Sequence, residues 1–357
     1  MLKKFQKDLQ KDNLDAALIS SHYNIVHLTQ FTGFQPSERE AYLFVTKDTS
    51  YVITDSRYTE AVKLQIPELE LIEVSPTLSH FEAVAELINQ HKVKNLGVEE
   101  DNLTIKEHRK IKRAKTTHYS PSKLRLIKTS SEIAAIKKAC GLGDKVFEYM
   151  LTIIKPGKTE KELAWEMEKF VKDAGAELSF DPIIAFNANA AMPHHANTSD
   201  KLRATNHQLI LMDFGVKVDG YCSDMTRVVF WGKALAKQKK VYQTVLTAQQ
   251  KAIQYLMSHT GSGIRSSEVD KVAREYIESQ GFQPFGHGLG HGIGLEVHEG
   301  PRLSPASKDV LLPGMVFSIE PGVYLPGEFG VRIEDLYTIQ GKKLIQLTDA
   351  SKEIIEL

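Results

Sequence analysis

Along the first third of the chain, short apolar runs ("DAALIS", "AYLFVT", "SYVITD", "KNLGVE") alternate with amphipathic stretches such as "SHFEAVAELINQHK". Apolar runs of strand length separated by helical periodicity predict a small α/β domain with a partly parallel sheet. The pattern changes near residue 125. After "HYSPSKLRLIKTSS", whose Pro and Ser mark a connection, a long helix should begin at Glu132 with Ser130 or Ser131 as its cap. Ile133, Ile136, Cys140, Phe147 and Met150 keep helical spacing, and "KPGK" (155–158) ends the element. A capping box, "TEKE" (159–162), starts a second helix that Gly175 closes, and two more fit 237–258 and 267–280, the last ended by Gly281. Strands and glycine-rich loops fill the remainder. The expected organisation is an α/β domain over 1–125 and an α+β domain over 126–357.

Composition narrows the function classes. At 357 residues, 42% hydrophobic and 25% charged, the chain reads as an ordinary globular protein of about two domains. Lys+Arg and Asp+Glu balance at 45 each, so no overall field draws nucleic acid or an anionic membrane. The basic cluster "KEHRKIKRAK" (106–115) reads as a solvated face. The start, "MLKKFQKDLQKDNLD", lacks the apolar core of a signal peptide, and no run of apolar residues reaches membrane-spanning length. A cytoplasmic setting is expected. Cys140 and Cys222 are too few for a disulfide framework and too far apart in sequence for a Cys-x-x-Cys site.

Within "ILMDFGVKVDGYCSDMTRVVFW" (210–231), two acids, Asp213 and Asp224, sit in sequence that otherwise reads as buried strand. The turn signal "VDG" makes the segment a β-hairpin. A turn centred on Val218 and Asp219 sets the two carboxylates directly opposite each other, with Cβ atoms roughly 5 Å apart. A turn centred on Asp219 and Gly220 makes them a diagonal pair. Either way they share a face, because side chains alternate with a period of two. Adjacent buried carboxylates share a proton or hold a cation; on the surface they are turn residues. "MDFG" without a glycine-rich nucleotide loop or an HRD segment is no kinase signature.

The last quarter of the chain supplies further candidates. "FGHGLGHGIGLEVHEG" (285–300) carries His287, His291 and His298 among glycines too frequent for a helix. In an extended conformation His287, Leu289, His291 and Ile293 share one face, and the glycines leave room for another backbone to approach. "MVFSIEPGVY" (315–324) ends an apolar strand on Glu320, and "FGVRIEDLYTI" (329–339) puts Glu334 in the middle of another. Asp213, Asp224, Glu320 and Glu334 with His291 make four carboxylates and one imidazole, a set that two divalent cations neutralise. Two such ions form a hydrolytic centre, and oxygen ligands with one nitrogen and no thiolate favour Mn or Co, with Fe or Zn possible.

In order and spacing, "LMDFGVKVDGYCSDMTR", "GHGLGHGIGLEVHEGPRLS", "SIEPGVY" and "GVRIED" resemble the Xaa-Pro peptidases of the pita-bread metallopeptidases, aminopeptidase P and prolidase. "YNIVHLTQFTGF" and "YVITDSRYTEAV" resemble the amino-terminal domain these enzymes share with creatinases, so the likeness spans the chain. It implies an α/β amino-terminal domain before an α+β pita-bread domain, two metal ions, proline-containing peptides as substrates and a homodimer. It implies metal ligands at Asp213, Asp224, His291, Glu320 and Glu334, with Asp224 and Glu334 bridging. It further implies that Glu320 takes the nucleophile's proton and that His298 meets substrate beside the scissile bond. "NAAMPHH" (189–195) offers His194, with His195 as a rival, as the family's other catalytic histidine. Arg332 would orient the site acids, His287 would lie near substrate, and Arg302 in "HEGPRLS" would grip the carboxylate of a dipeptide. The alternative is a non-catalytic binding module on the same fold, which metal binding discriminates.

Overall fold

The computed structural model describes residues 1–259 and 263–357. The chain divides into two units, Met1–Arg125 and Leu126–Leu357. In the first, a six-stranded sheet runs in the order Glu70–Val74, Ser50–Asp55, Ala41–Thr46, Ala16–Ile19, Asn95–Val98, Lys115–His118. Three of its five pairings are parallel, the mixed sheet the sequence predicts. Alternate strand residues feed two apolar clusters. Ala17, Ile19, Leu43 and Val45 pack with Phe5, Leu9, Ile25 and Leu28 of the helices Leu2–Lys11 and His22–Thr29. Ala16, Leu18, Tyr42 and Phe44 pack with Val84, Leu87 and Ile88 of the helix His80–Gln90. Burial on both faces explains why these strands read as continuous apolar runs.

The second unit is α+β. Its helices are Ser130–Ile153, Glu160–Asp173, Ala236–His259 and Ser266–Ser279. The first is capped by Thr129 rather than by Ser130 or Ser131. The Thr129 side chain accepts from the Glu132 amide while the Glu132 carboxylate accepts from the Thr129 amide. This reciprocal box satisfies two end groups at once, which a lone serine cap does not.

A three-stranded sheet joins Met225–Trp231, Gln208–Phe214 and Ile183–Phe186. A five-stranded one runs Glu299–Leu303, Gly290–Gly292, Val316–Ile319, Asp335–Gln340, Lys343–Gln346, and a ladder pairs Gly322–Leu325 with Phe329–Arg332. Leu209, Leu211, Val228 and Phe230 face the two later helices, whereas Ile210, Met212, Phe214 and Val229 face the two earlier ones. By strand alternation Asp213 and Asp224 continue the first of these faces.

The hairpin takes the diagonal register. Asp213 pairs with Thr226 and Val218 with Tyr221, so Asp219 and Gly220 are the turn, both at positive φ (52° and 82°). That is the two-residue turn whose twist matches the strands, which rules out the alternative centred on Val218. Glu334 also differs from expectation. It lies between Phe329–Arg332 and Asp335–Gln340, where the chain leaves one sheet for another, rather than mid-strand. The histidine segment is extended only over Gly290–Gly292, with a register shift after His291, so Leu289 and Ile293 are buried in apolar clusters rather than facing a common surface with the imidazoles.

Candidate active site

The acids converge because three sheet segments end around one cavity of about 460 Å³. Asp213 and Asp224 come from the hairpin, Glu320 from just after Val316–Ile319, Glu334 from the sheet-to-sheet junction, and His291 from Gly290–Gly292. Glycine permits the approach. A Cβ on Gly290 would stand 2.0 Å from Ser318 O, and one on Gly292 would stand 1.9 Å from Gly300 O, which no side chain tolerates. The cavity is also lined by His194, His287, His298, Arg302 and Arg332.

His291 Nε2 lies 3.4 Å from Glu320 Oε1, 3.6 Å from Asp224 Oδ2 and 3.9 Å from Glu334 Oε1. Its Nδ1 is 3.1 Å from Gly292 O, a contact that fixes the proton on Nδ1 and leaves the Nε2 lone pair aimed at the acids, as a metal-binding imidazole requires. Its backbone N–H donates to Ser318 Oγ, which in turn donates to Glu320 Oε1 (3.0 and 3.1 Å). Ligand atoms of Asp213, Asp224 and Glu334 lie within 4.8 Å of one another, and so do those of His291, Glu320 and Glu334. Glu334 is common to both groups. A third group joins Asp224, His291 and His298.

Electrostatics mark this cluster as incomplete on protein groups alone. Burial, then repulsion from Glu334 and Asp213, pushes the Asp224 carboxyl well above the usual range. Burial and the neighbouring Glu320 and Asp213 do the same to Glu334, and burial lifts Glu320 up to about 8. Asp224 Oδ1 and Glu334 Oε1 are buried and accept no hydrogen bond from the described residues. Such oxygens cost several kcal/mol unless something positive meets them. Desolvation also pushes His287 and His298 down to about 4, and lowers His291, so the imidazoles are neutral donors of lone pairs at neutral pH. Carboxylates with orphaned oxygens and a correctly tautomeric imidazole fit a pair of divalent ions.

One basic group reaches the acids. Arg332, 3% exposed, donates through Nη2 to Asp213 Oδ2, through Nε to Thr226 Oγ1 (3.1 Å) and through Nη1 to Tyr324 OH (2.9 Å). Thr226 Oγ1 in turn donates a hydrogen bond to Glu334 Oε2 (2.8 Å). Tyr324 OH is 2.9 Å from His287 Nε2, and His287 Nδ1 is 2.7 Å from Gly288 O. Thr226, Ser318 and Tyr324 escaped the sequence reading. For Thr226 and Ser318 the signal was a polar atom one alternation from an acid on an apolar strand, and Tyr324 carried no such signal.

The two adjacent histidines part company. His194 is exposed into the cavity, whereas His195 is buried with Nε2 2.8 Å from Glu160 Oε2 and does not line it. A substrate contact from His195 is therefore corrected to an internal one. Its ring is engaged by a carboxylate behind the loop. His298 stacks edge-on to His291, ring centroids 4.4 Å apart, and Arg302 is the cross-strand partner of His291.

Comparison with known proteins agrees with this geometry. The model of metallopeptidase family M24 matches residues 134–341, and that of the creatinase/prolidase N-terminal domain matches residues 1–136. A curated relative, the Xaa-Pro dipeptidase of Pyrococcus horikoshii, is 35% identical over 99% of this chain and 98% of its own. Among solved structures, a prolidase from Thermococcus sibiricus superposes with a TM-score of 0.91 at 35% identity, covering 100% of this chain and 98% of that one. An X-Pro aminopeptidase from Thermotoga maritima gives 0.85 at 32% identity, covering 97% and 98%. No helix among the described residues is long and apolar enough to cross a membrane. With an α/β amino-terminal domain ahead of a pita-bread catalytic domain, the chain belongs to metallopeptidase family M24.

Proposed function

We propose that this chain hydrolyses the peptide bond preceding proline and that its preferred substrates end at that proline, making it an Xaa-Pro dipeptidase. The observation that supports the reading most is the sharing of Glu334 by two groups of ligand atoms, with an unpartnered buried oxygen on each of Asp224 and Glu334. Asp213, Asp224 and Glu334 would hold one divalent ion, and His291, Glu320, Asp224 and Glu334 would hold the other. Such a pair supplies a polarised scissile carbonyl and a nucleophile at neutral pH. Carboxylate and imidazole donors without thiolate suit Mn or Co best, ahead of Fe or Zn. All five side chains are present, which disfavours a non-catalytic module.

The remaining roles belong to protein groups. Glu320, steered by Ser318, takes up the nucleophile's proton and returns it to the leaving proline nitrogen. His298 and His194 donate to the substrate around the scissile bond. Arg332 holds Asp213 and, through Thr226, the orientation of Glu334. An Xaa-Pro amide has no N–H to grip, so recognition falls on its carbonyl and on the free carboxylate. Arg302, projecting from the strand beside His291, binds that carboxylate through its planar fork. A cytoplasmic homodimer goes with the same family likeness, and light scattering tests the dimer.

The test is hydrolysis of an Xaa-Pro dipeptide beside an Xaa-Pro-Yaa tripeptide, with Mn or Co added. The dipeptide should be preferred, and Arg302→Ala should raise its KM at least tenfold, corresponding to the ~1.5–3 kcal/mol of a charged hydrogen bond, while changing the tripeptide much less. Small and equal effects on both substrates would point to an aminopeptidase instead.

A further inference from the structure

Behind the cavity, the helix Glu160–Asp173 begins with a carboxylate that its own cap does not use. The capping box is made by Thr159 and Glu162, which leaves Glu160, wholly buried, for another task. Glu160 Oε1 accepts from the Phe186 amide (2.8 Å) and from Asn189 Nδ2 (2.9 Å). Its Oε2 accepts from the Thr198 amide and Thr198 Oγ1 (both 2.7 Å) and from His195 Nε2 (2.8 Å). Phe186 and Asn189 stand at one end of a loop and Thr198 at the other, while His195 lies within it, next to the His194 that enters the cavity. We infer that Glu160 is a positioning residue for the reaction, clamping the two ends of the 187–198 loop so that His194 is held against the substrate. The inference rests on the proposed role of His194.

Two features support a clamp over ordinary packing. Between Ala191 and Thr198 the one buried side chain is His195, itself bonded to Glu160, so apolar burial does not fix this stretch. Polar side chains do that instead. Asn197 Oδ1 accepts from the Ile184 amide (2.8 Å) and its Nδ2 donates to Pro182 O (2.7 Å), adding a second tie beside the first. The charge itself is well supported. Burial acts to raise the Glu160 carboxyl, but the bonds from Asn189, His195, Phe186 and Thr198 outweigh it and hold the group below its ordinary value. An ionised carboxylate with every lone pair engaged fixes direction more tightly than a neutral amide or an apolar contact does.

The experiment uses the metal-loaded full chain with E160Q, H194A and the double variant. Gln keeps the shape but turns one acceptor oxygen into a donor facing other donors. In E160Q, amide hydrogen exchange across 186–198 should accelerate at least tenfold with the rest of the chain and the bound metal unchanged. Its kcat/KM for an Xaa-Pro dipeptide should fall at least tenfold, yet in the H194A background the same substitution should cost less than twofold, because the group it positions is gone. Unchanged exchange in 186–198, or an activity loss of equal size with and without His194, overturns the inference. If E160Q does not fold, H195A removes a single partner of the carboxylate, and its loop exchange is expected to rise and its kcat to fall more than its KM changes. Undiminished activity in H194A contradicts the role given to His194, a failure distinct from that of the clamp, which hydrogen exchange reads without reference to activity.

Discussion

Glu334 and Asp335 are neighbours in sequence, both are almost fully buried, and the protein treats them in opposite ways. Asp335 accepts from Arg227 Nη2 (2.6 Å), Thr348 Oγ1 (2.7 Å), Lys352 Nζ (2.9 Å) and Gln249 Nε2 (3.0 Å). Burial alone would raise its carboxyl, but Arg227 and Lys352 reverse that and hold it below the ordinary range. Glu334 has the Thr226 hydroxyl on one oxygen, nothing on the other, and a carboxyl driven well above the ordinary range. Depth does not distinguish the two acids. What distinguishes them is where the positive charge comes from: the chain carries its own for Asp335, whereas under the proposed function Glu334 takes it from ions in solution. The two environments are mechanically joined, since Arg227 Nη1 also donates to Glu334 O (2.6 Å) and to Thr226 O (2.9 Å). The satisfied network fixes the backbone from which the unsatisfied acid projects.

Substituting each acid should break different properties. Glu334→Gln should abolish Xaa-Pro hydrolysis, exceeding the roughly 10–100-fold that losing an outer partner of a metal ligand costs. It should not lower the melting temperature of metal-free protein, because the Glu334 carboxyl there is driven towards its neutral form, which Gln matches in charge and shape. Residual activity near wild type would break the contrast. Asp335→Asn should do the reverse. Two cations lose their buried partner, and stability should drop by about 3–5 kcal/mol with metal or without, read from urea midpoints.

A smaller effect concerns pH. Glu320 sits at about 8 in the folded metal-free protein against an ordinary value of 4.5, so over the intervening range the folded state holds a proton that the unfolded chain has released. Stability from such a group is full below the unfolded value and is lost as pH rises through the folded one. His287 and His298, pushed down to about 4, work in the opposite sense below their ordinary 6.5 and are neutral in both states above it. Metal-free protein should therefore lose stability from about pH 6.5 to 8, by up to ~1.4 kcal/mol per unit for each raised acid, while metal-loaded protein should not. Thermal melts with and without chelator check this, and a metal-free curve that climbs over that range would contradict it.

The sequence made the acids conspicuous because a charge on an apolar strand has few explanations, and it made the later helices legible through their caps and glycines. Where it misled, two readings were locally equivalent. "VDG" admits two hairpin registers, and only the positive φ at both Asp219 and Gly220 selects one. "FGVRIEDLYTI" is apolar on either side of Glu334, so passage from one sheet to the next leaves no mark in the pattern. His194 and His195 are adjacent and chemically identical, and the group that separates them, Glu160, lies far upstream at a helix start where an acid reads as a cap. Arg227 was detectable by the same reasoning that found Asp213 and Asp224, since it too is a charge within apolar strand sequence. Its partner, Asp335, hides beside a more conspicuous neighbour.

The most direct test of the claim that Glu334 serves two ion sites is metal stoichiometry. Wild-type chain loaded with Mn or Co, freed of excess ion by gel filtration and analysed by mass spectrometry, should carry two ions per chain, and Glu334→Gln should carry fewer than one while remaining folded. A wild-type chain holding one ion or none, or a Glu334→Gln chain still holding two, would contradict the account.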